Sequence, residues 1–383
     1  MERILNKLQL EKIKFDCRHY SGYKPCGLSE FCEDCRHYQP IGVRILIIKL
    51  AAMGDVLRTT AILTGLKKQH PQSHITWITD SPSYSLLKNN PFIDRLLNYN
   101  LESVLTVMGI PYDLAINFEK EERALALFDK IKAEKKLGFA WSNAFTLSVA
   151  NPGSLYSLQL GLHDELKFKM NAKSYQETIY EMAELPYEGE SYVLRLSDYS
   201  REFAETFRAK RNMKSGCVSV GLNTGCGGVF ETKKWTADGF CELARLLAKD
   251  GRQILLLGGQ RECDFNQSIL ESAGVPVIDT GCDNSLEEFL GIVSLCDVVV
   301  SSDSLAAHIA LALEKEVVIF FGSTCSQEVS LFGRGEAIVT DFPCSPCYKR
   351  RCDKKPTCMD ALSAQTVYEA VCRRIGIYQS RRK

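Results

Sequence analysis

From residue 42 onward, short apolar runs rich in Ile, Leu and Val alternate with longer stretches whose apolar positions recur every three or four residues. The first pattern marks buried strands and the second marks amphipathic helices. The spacing predicts strands over Arg44–Leu50, His74–Thr79, Leu96–Tyr99 and Tyr112–Phe118. Between and after them it predicts helices over Asp55–Gln69, with Val56, Ile62, Leu63 and Leu66 inward, Pro82–Asn89 and Lys120–Lys132. Residues 141–185 are less regular; Asn151-Pro152-Gly153 breaks them and a helix over Tyr175–Leu185 closes them. A polar stretch near 186–215, with one helix over Ser200–Lys210, reads as a link.

A second alternating series follows. Strands are expected at Cys217–Leu222, Gln253–Leu257, Val277–Asp279, Val298–Ser301 and Val317–Phe321. The intervening helices are Ala237–Lys249, Glu262–Ser272, Leu286–Leu295 and Ser304–Leu313. Strand–helix alternation at this spacing implies α/β architecture with parallel, doubly wound sheets. The expected division is a Cys-rich extension (1–40), a first Rossmann-like domain (41–195), a linker (196–214) and a second Rossmann-like domain (215–363) carrying a Cys-rich segment (344–358). A C-terminal helix and basic tail (364–383) complete it, the helix being one that could return to the first domain.

Composition adds exclusions. The 383 residues are 45% apolar and 25% charged, ordinary for a soluble protein, and their formal net charge is zero, which gives a nucleic-acid partner no support. No run approaches the roughly 18 apolar residues that span a bilayer. Residues 1–12 mix charged and apolar positions without a signal-peptide core, so a cytoplasmic protein is expected. The last 40 residues carry ten Lys or Arg against three acidic residues, a local net of +7. They fit either a solvated tail or contact with an anionic membrane surface or acidic glycolipid.

Two strand-to-helix junctions carry the candidate chemistry. Gly54-Asp55 ends the first apolar run; glycine there permits a sharp turn, and Asp55 falls near the helix N-cap. A carboxylate at a helix N-terminus stays ionised and can accept a proton from an attacking hydroxyl. Asp303-Ser304 ends the run Val298–Ser301, with His308 one helical turn beyond Ser304; free N–H groups there suit a phosphate. Between them lie the Gly-rich loop Gly221–Gly228, Lys233-Lys234-Trp235, and Gly258-Gly259 followed by Glu262. A Lys beside such a loop can neutralise a diphosphate, and an acid beyond a strand end can bind ribose hydroxyls. Each residue also has an ordinary structural explanation, as cap, surface charge or core. The loop is neither a Walker A sequence nor a G-x-G-x-x-G fingerprint, which argues against a dinucleotide oxidoreductase.

Taken together, Ile45–Thr60, Lys233–Trp235, Leu256–Gly259 and Ser301–His308 resemble glycosyltransferase family 9, the ADP-heptose:lipopolysaccharide heptosyltransferases. The similarity covers roughly residues 42–375. It implies the GT-B fold, in which two Rossmann-like domains face a central cleft, the first binding acceptor and the second nucleotide sugar. It also implies inverting transfer of heptose from ADP-heptose to a lipopolysaccharide-core or related glycan acceptor, with no cofactor for catalysis and with peripheral contact at the inner membrane. By position, Asp55 matches the general base and Lys233 the lysine reaching ribose and phosphate. Glu262 matches the ribose-binding acid, Asp303 the carboxylate on the donor sugar, Ser304 the phosphate contact and His308 the downstream histidine. Leu305 stands where the family signature has Gly. A protein acceptor, and a non-catalytic metal-stabilised nucleotide-binding protein of the same fold, are the alternatives. His163, Lys167, Lys169 and Lys173 fit either acidic acceptor groups or plain exposed positions.

Eight of the sixteen cysteines are clustered: Cys17, Cys26, Cys32 and Cys35 near the start, and Cys344, Cys347, Cys352 and Cys358 near the end. Each quartet could form a closed four-thiolate site for structural zinc or iron, His19 and His37 being substitutes in the first. Reduced thiols without metal are the alternative.

Overall fold

A computed structural model describes residues 9–381. The first eight residues of the N-terminal pattern and the last two of the basic tail lie outside the described residues. Twelve strands form two six-stranded sheets among the described residues. The first contains β1 (Arg44–Ile48), β2 (His74–Thr79), β3 (Arg95–Asn98), β4 (Tyr112–Asn117), β5 (Ala133–Trp141) and β6 (Leu147–Val149), ordered β3-β2-β1-β4-β5-β6. The second contains β7 (Ser219–Asn223), β8 (Gln253–Leu257), β9 (Ile278–Asp279), β10 (Val298–Ser302), β11 (Glu316–Phe321) and β12 (Gly335–Val339), ordered β12-β11-β10-β7-β8-β9. All neighbours are parallel except β5 and β6. These are the two parallel-sheet domains of a GT-B fold.

In each sheet the chain winds outward on one side, then returns to the centre and winds the other way. The reversals fall between β1 and β4 and between β7 and β10. A crevice opens beyond the strand ends at such a switch point. The central strands are buried on both faces, which is why Ile45–Ile48 and Val298–Val300 read as unbroken apolar runs. The core under the first sheet continues into the second domain, taking in Leu290, Ile309 and Phe321.

Two expectations change. The helix over Asp55–Gln69 is two helices, Met53–Thr59 and Ile62–Gln69. Thr60 turns its hydroxyl back onto the Leu57 carbonyl, and the Tyr180 hydroxyl donates to the Ala61 carbonyl at 2.8 Å while accepting the Gly65 N–H. A distant side chain thus satisfies the backbone groups the break frees. The C-terminal helix, Ala364–Arg381, does not return to the first domain. It packs on the second sheet and on helix Ala237–Lys249. Arg374 and Arg381 pair with Glu316, Arg373 with Glu336 and Tyr378 with Asp297, so much of the basic tail is neutralised within its own domain.

Candidate functional site

Sequence places a lysine, Lys49, immediately after the fully buried strand β1. A buried ammonium needs a partner, and Glu119, just past the end of β4, supplies one at 3.0 Å. The other Glu119 oxygen accepts the N–H groups of Leu50 and Ala51 at 2.8 and 3.0 Å. Burial alone would favour the neutral amine, but Tyr175, Asp55 and Glu119 outweigh it and raise the Lys49 pKa. This ion pair spans the switch between β1 and β4 and fastens the loop that delivers Asp55.

Asp55 is not the N-cap. Ala52 occupies that position, so the Asp55 carboxylate, in the first helical turn, is left free to face outward. It lines a cavity of about 520 Å³ together with Lys49, Arg58, Lys167, Lys173 and Glu328. Its side chain is 45% exposed and accepts a hydrogen bond from Arg58 at 3.3 Å. Gly54 is needed for a reason the sequence did not indicate: its φ is ordinary, but a Cβ there would come within 3.3 Å of the His308 ring from the opposite domain.

Arg58 joins the two walls. It is buried, donates to the Glu328 carbonyl of the second domain at 2.6 Å, and lies over the Tyr175 ring at 4.2 Å. Burial opposes its charge, yet Asp55, Tyr192 and Asp303 hold it firmly protonated. Its Nε–H has no protein partner.

The second wall centres on Asp303, beyond the end of β10. Lys233 donates to its carbonyl at 2.6 Å and stands 3.5 Å from its carboxylate; His308 Nε2 is 3.5 Å from the other carboxylate oxygen. Burial favours the protonated acid, but the His308 hydrogen bond and the charges of Lys233 and Arg58 hold the carboxyl far below the usual range. The His308 pKa is lowered, chiefly by burial, so the ring is neutral near pH 7, with Tyr192 against Nδ1.

Ser304 is the N-cap of helix Leu305–Ala312 but makes no side-chain cap bond. Its hydroxyl meets Ser301 at 2.8 Å and Asn223 at 3.2 Å, across the switch between β7 and β10. Leu305 packs against the apolar core shared by the two domains. Glu262 accepts the Gly259 N–H at 3.0 Å and would lie 3.4 Å from a Cβ on Gly225, at the edge of the Gly-rich loop.

Lys233, Asp303 and His308 thus form one cluster, with Ser304 beside Asp303, Asp55 across the cleft and Glu262 farther along the β7–β8 edge. Lys167 and Lys173 line the cavity. Lys169 instead makes an exposed pair with Glu165, and His163 is exposed. Lys49, Arg58, Glu119 and Tyr175 were missed. A lysine closing a buried strand and an arginine one turn after Asp55 were the available signals.

The model for glycosyltransferase family 9 (heptosyltransferase) matches residues 106–358. The chain belongs to glycosyltransferase family 9. Lipopolysaccharide heptosyltransferase 1 of Campylobacter coli is 20% identical over 345 residues, spanning 86% of this chain and 98% of that one. Among solved structures, a family 9 glycosyl transferase from Veillonella parvula aligns with TM-score 0.71 at 18% identity, over 87% of this chain and 97% of that one. E. coli heptosyltransferase WaaC, solved with ADP, aligns with TM-score 0.60 at 19% identity, over 87% and 100%.

All sixteen cysteines are free, and among the described residues no three His, Cys, Asp or Glu side chains already stand where they could hold a metal. The N-terminal quartet nonetheless lines one hollow of about 360 Å³, with His19 and His37, and the C-terminal quartet another of about 330 Å³.

Proposed function

We propose that this family 9 enzyme moves heptose from ADP-heptose to a lipopolysaccharide-core or related glycan acceptor, with inversion at the anomeric carbon. The observation that carries the reading is the half-exposed Asp55 carboxylate, held by Arg58 on the wall of the cavity, opposite the Lys233–Asp303–His308 cluster. In this mechanism an acceptor hydroxyl in the cavity attacks the anomeric carbon. Its proton passes to a carboxylate oxygen of Asp55 as the bond to ADP breaks on the opposite face. Lys233 and the N–H groups that open helix Leu305–Ala312 take up the charge that develops on the departing diphosphate. Glu262 is positioned to bind the ribose hydroxyls. The cavity's ammonium groups suit an anionic acceptor, and closure of the two walls on the substrates would limit attack by water on the donor.

The test is incubation of the purified protein with ADP-heptose and heptose-deficient core acceptors, with product mass measured. A mass gain of one heptose, abolished in Asp55→Asn while ADP binding persists, is expected. Absence of both transfer and ADP binding in the wild-type protein would reject the assignment.

For the cysteine quartets we read a structural zinc or iron held by thiolates. The four C-terminal cysteines share one hollow, where burial above all, and the neighbouring thiols after it, raises the Cys358 pKa; a bound cation would stabilise the thiolate form. Metal content of the native protein, and its loss in Cys347→Ser or Cys32→Ser, tests each site separately. Cytoplasmic work at the inner face of a membrane fits a glycolipid acceptor.

A further inference from the structure

The Cys-rich segment 344–358 carries one aromatic residue, Tyr348, between Cys347 and a run of cations. Lys349–Cys352, which follow it, are all exposed, whereas Tyr348 itself is half-buried. Its N–H and that of Cys347 donate to the Ser323 carbonyl, just past the buried strand β11, at 2.8 and 3.2 Å. Its φ is +49°, a region that bulky residues avoid. A strained backbone fastened to the end of a buried strand gives the ring a set direction.

That direction is toward the first domain. Phe168 stacks on the Tyr348 ring, with planes 5° and centroids 5.4 Å apart. Phe230, two residues past the Gly-rich loop, meets it edge-on at 5.9 Å. The Lys167 ammonium lies over the ring at 3.9 Å. The Tyr348 hydroxyl donates to Glu328 at 3.0 Å, and the Lys167 ammonium stands 4.0 Å from the other oxygen of that carboxylate. Lys167 and Glu328 both line the cavity that holds Asp55, and Tyr348 lies behind them. The Lys167 backbone is held separately, because its carbonyl accepts from Gln327 Nε2 at 3.3 Å and from Cys325 Sγ at 3.6 Å. What the ring adds is a direction for the ammonium. The contact with Glu328 alone is too long and too accessible to solvent to fix it.

We propose that Tyr348 is a positioning residue that aims the Lys167 ammonium into the cavity, where it receives an anionic group, phosphate or carboxylate, of the acceptor. A four-carbon stem loose in water samples many rotamers, and a ligand that uses its charge must first order it. The aromatic face removes that cost in advance, and the Phe168 stack keeps the face from swinging away. A ring orients an ammonium without neutralising it, so the charge stays available to a ligand, as it would not against a close carboxylate. A residue of the second domain thus shapes the wall on which the first domain meets its acceptor. The acceptor role rests on the proposed function; the placement of Lys167 does not.

The experiment compares the full chain with Tyr348→Ala, Tyr348→Phe and Lys167→Met, by amine acetylation read by mass spectrometry and by transfer kinetics. In Tyr348→Ala, Lys167 should be acetylated at least about threefold faster, the order of effect that a half-exposed cation–π contact provides. Lys173, held by Tyr156 and Glu181, should react as in wild type. The acceptor KM should rise at least about threefold while kcat stays within about twofold, a split that mere loss of folded protein would not produce. Tyr348→Phe, which keeps the ring and loses the hydroxyl, should bring both readouts back to within about twofold of wild type. The double variant Lys167→Met, Tyr348→Ala should have the KM of Lys167→Met alone, because the tyrosine acts through the lysine. A smaller change in acetylation, a fall in kcat with KM unmoved, or additive effects in the double variant would each overturn the proposal. A wild-type protein that transfers no heptose would reject the donor and acceptor assignment and the acceptor role with it, and the acetylation ratios would still decide whether Tyr348 places Lys167.

Discussion

Replacing Arg58 with methionine removes a buried cation that touches both walls of the cleft, while keeping an apolar stem of similar reach. Three contacts disappear: the hydrogen bond to Asp55 at 3.3 Å, the hydrogen bond to the Glu328 carbonyl at 2.6 Å, and the stack on Tyr175 at 4.2 Å. Hydrogen bonds that involve a charged group contribute about 1.5–3 kcal/mol each. The Asp55 contact belongs at the low end, because that carboxylate is 45% exposed and solvent screens it. The stack adds about 1 kcal/mol. If about 1.5–3 kcal/mol of this total orients Asp55 toward the acceptor hydroxyl, kcat should fall about 10- to 100-fold, at roughly 1.4 kcal/mol per decade. Binding of ADP alone should change less than kcat, since Arg58 stands beside Asp55 and adds less to the field at Asp303 than His308 and Lys233 do. Arg58→Lys keeps the charge but not the planar fork, and cannot serve Asp55 and Glu328 together, so it should fall between the two. The assay is steady-state transfer with saturating donor, alongside calorimetric ADP binding and thermal melting. A folded Arg58→Met protein with kcat within about threefold of wild type would refute the argument, because so small a change corresponds to less than about 0.7 kcal/mol.

Glu119→Gln leaves the Lys49 ammonium without its carboxylate and weakens the anchoring of Leu50 and Ala51. It should lower the melting temperature by several degrees and depress kcat, with a loss of about 3 kcal/mol typical for a broken buried pair. Gly54→Ala pushes a methyl against the His308 ring at 3.3 Å, so activity should drop with a destabilisation of about 1–3 kcal/mol; an unchanged melting curve and rate would show that the domains part freely there. The pKa of His308 is lowered in the folded state, so below the unfolded value near 6.5 the unfolded chain binds the extra proton. Stability should therefore fall as pH drops from about 7 toward 5. His74 is lowered too, again chiefly by burial, so His308→Gln should remove part of that slope; an identical slope would show that the buried ring does not contribute.

The fold was legible because its elements obey their own periodicity. Helix Ala237–Lys249 and strand β8 appear at the bounds their patterns set, since an amphipathic stripe and a doubly buried strand leave little choice. The misread elements are those a distant residue decides. The break after Thr59 depends on Tyr180, more than 100 residues away in sequence, filling the hydrogen bonds of Ala61 and Gly65. Strand β5 opens with Ala133-Glu134-Lys135-Lys136, of which Glu134 and Lys135 are exposed, so charge hid the pairing that β4 imposes. The C-terminal helix packs on its own domain because Glu316, fully enclosed at the start of β11, needs Arg374 and Arg381.

The same distinction runs through the site. Asp55 and Asp303 could be picked from sequence because each follows the end of a buried parallel strand, where topology aims it at the crevice, and Lys233 because it follows the Gly-rich loop. Arg58 could not. Its position on helix Met53–Thr59 places it one turn from Asp55 and leaves its role open; only the approach of Glu328 from the other domain makes it a bridge. Gly54 follows the same logic: it reads as a turn residue and proves to be a clearance for His308. Both belong to the contact between domains, and so does part of the electrostatic field at Asp303 and His308. Arg58 from the first wall adds to the field at both groups, beside the larger effects of burial and of the mutual contact of Asp303, His308 and Lys233. Opening the cleft would therefore change the charge environment of the second cluster as well as its access to solvent. The two walls are therefore coupled electrostatically through Arg58 as well as sterically through Gly54.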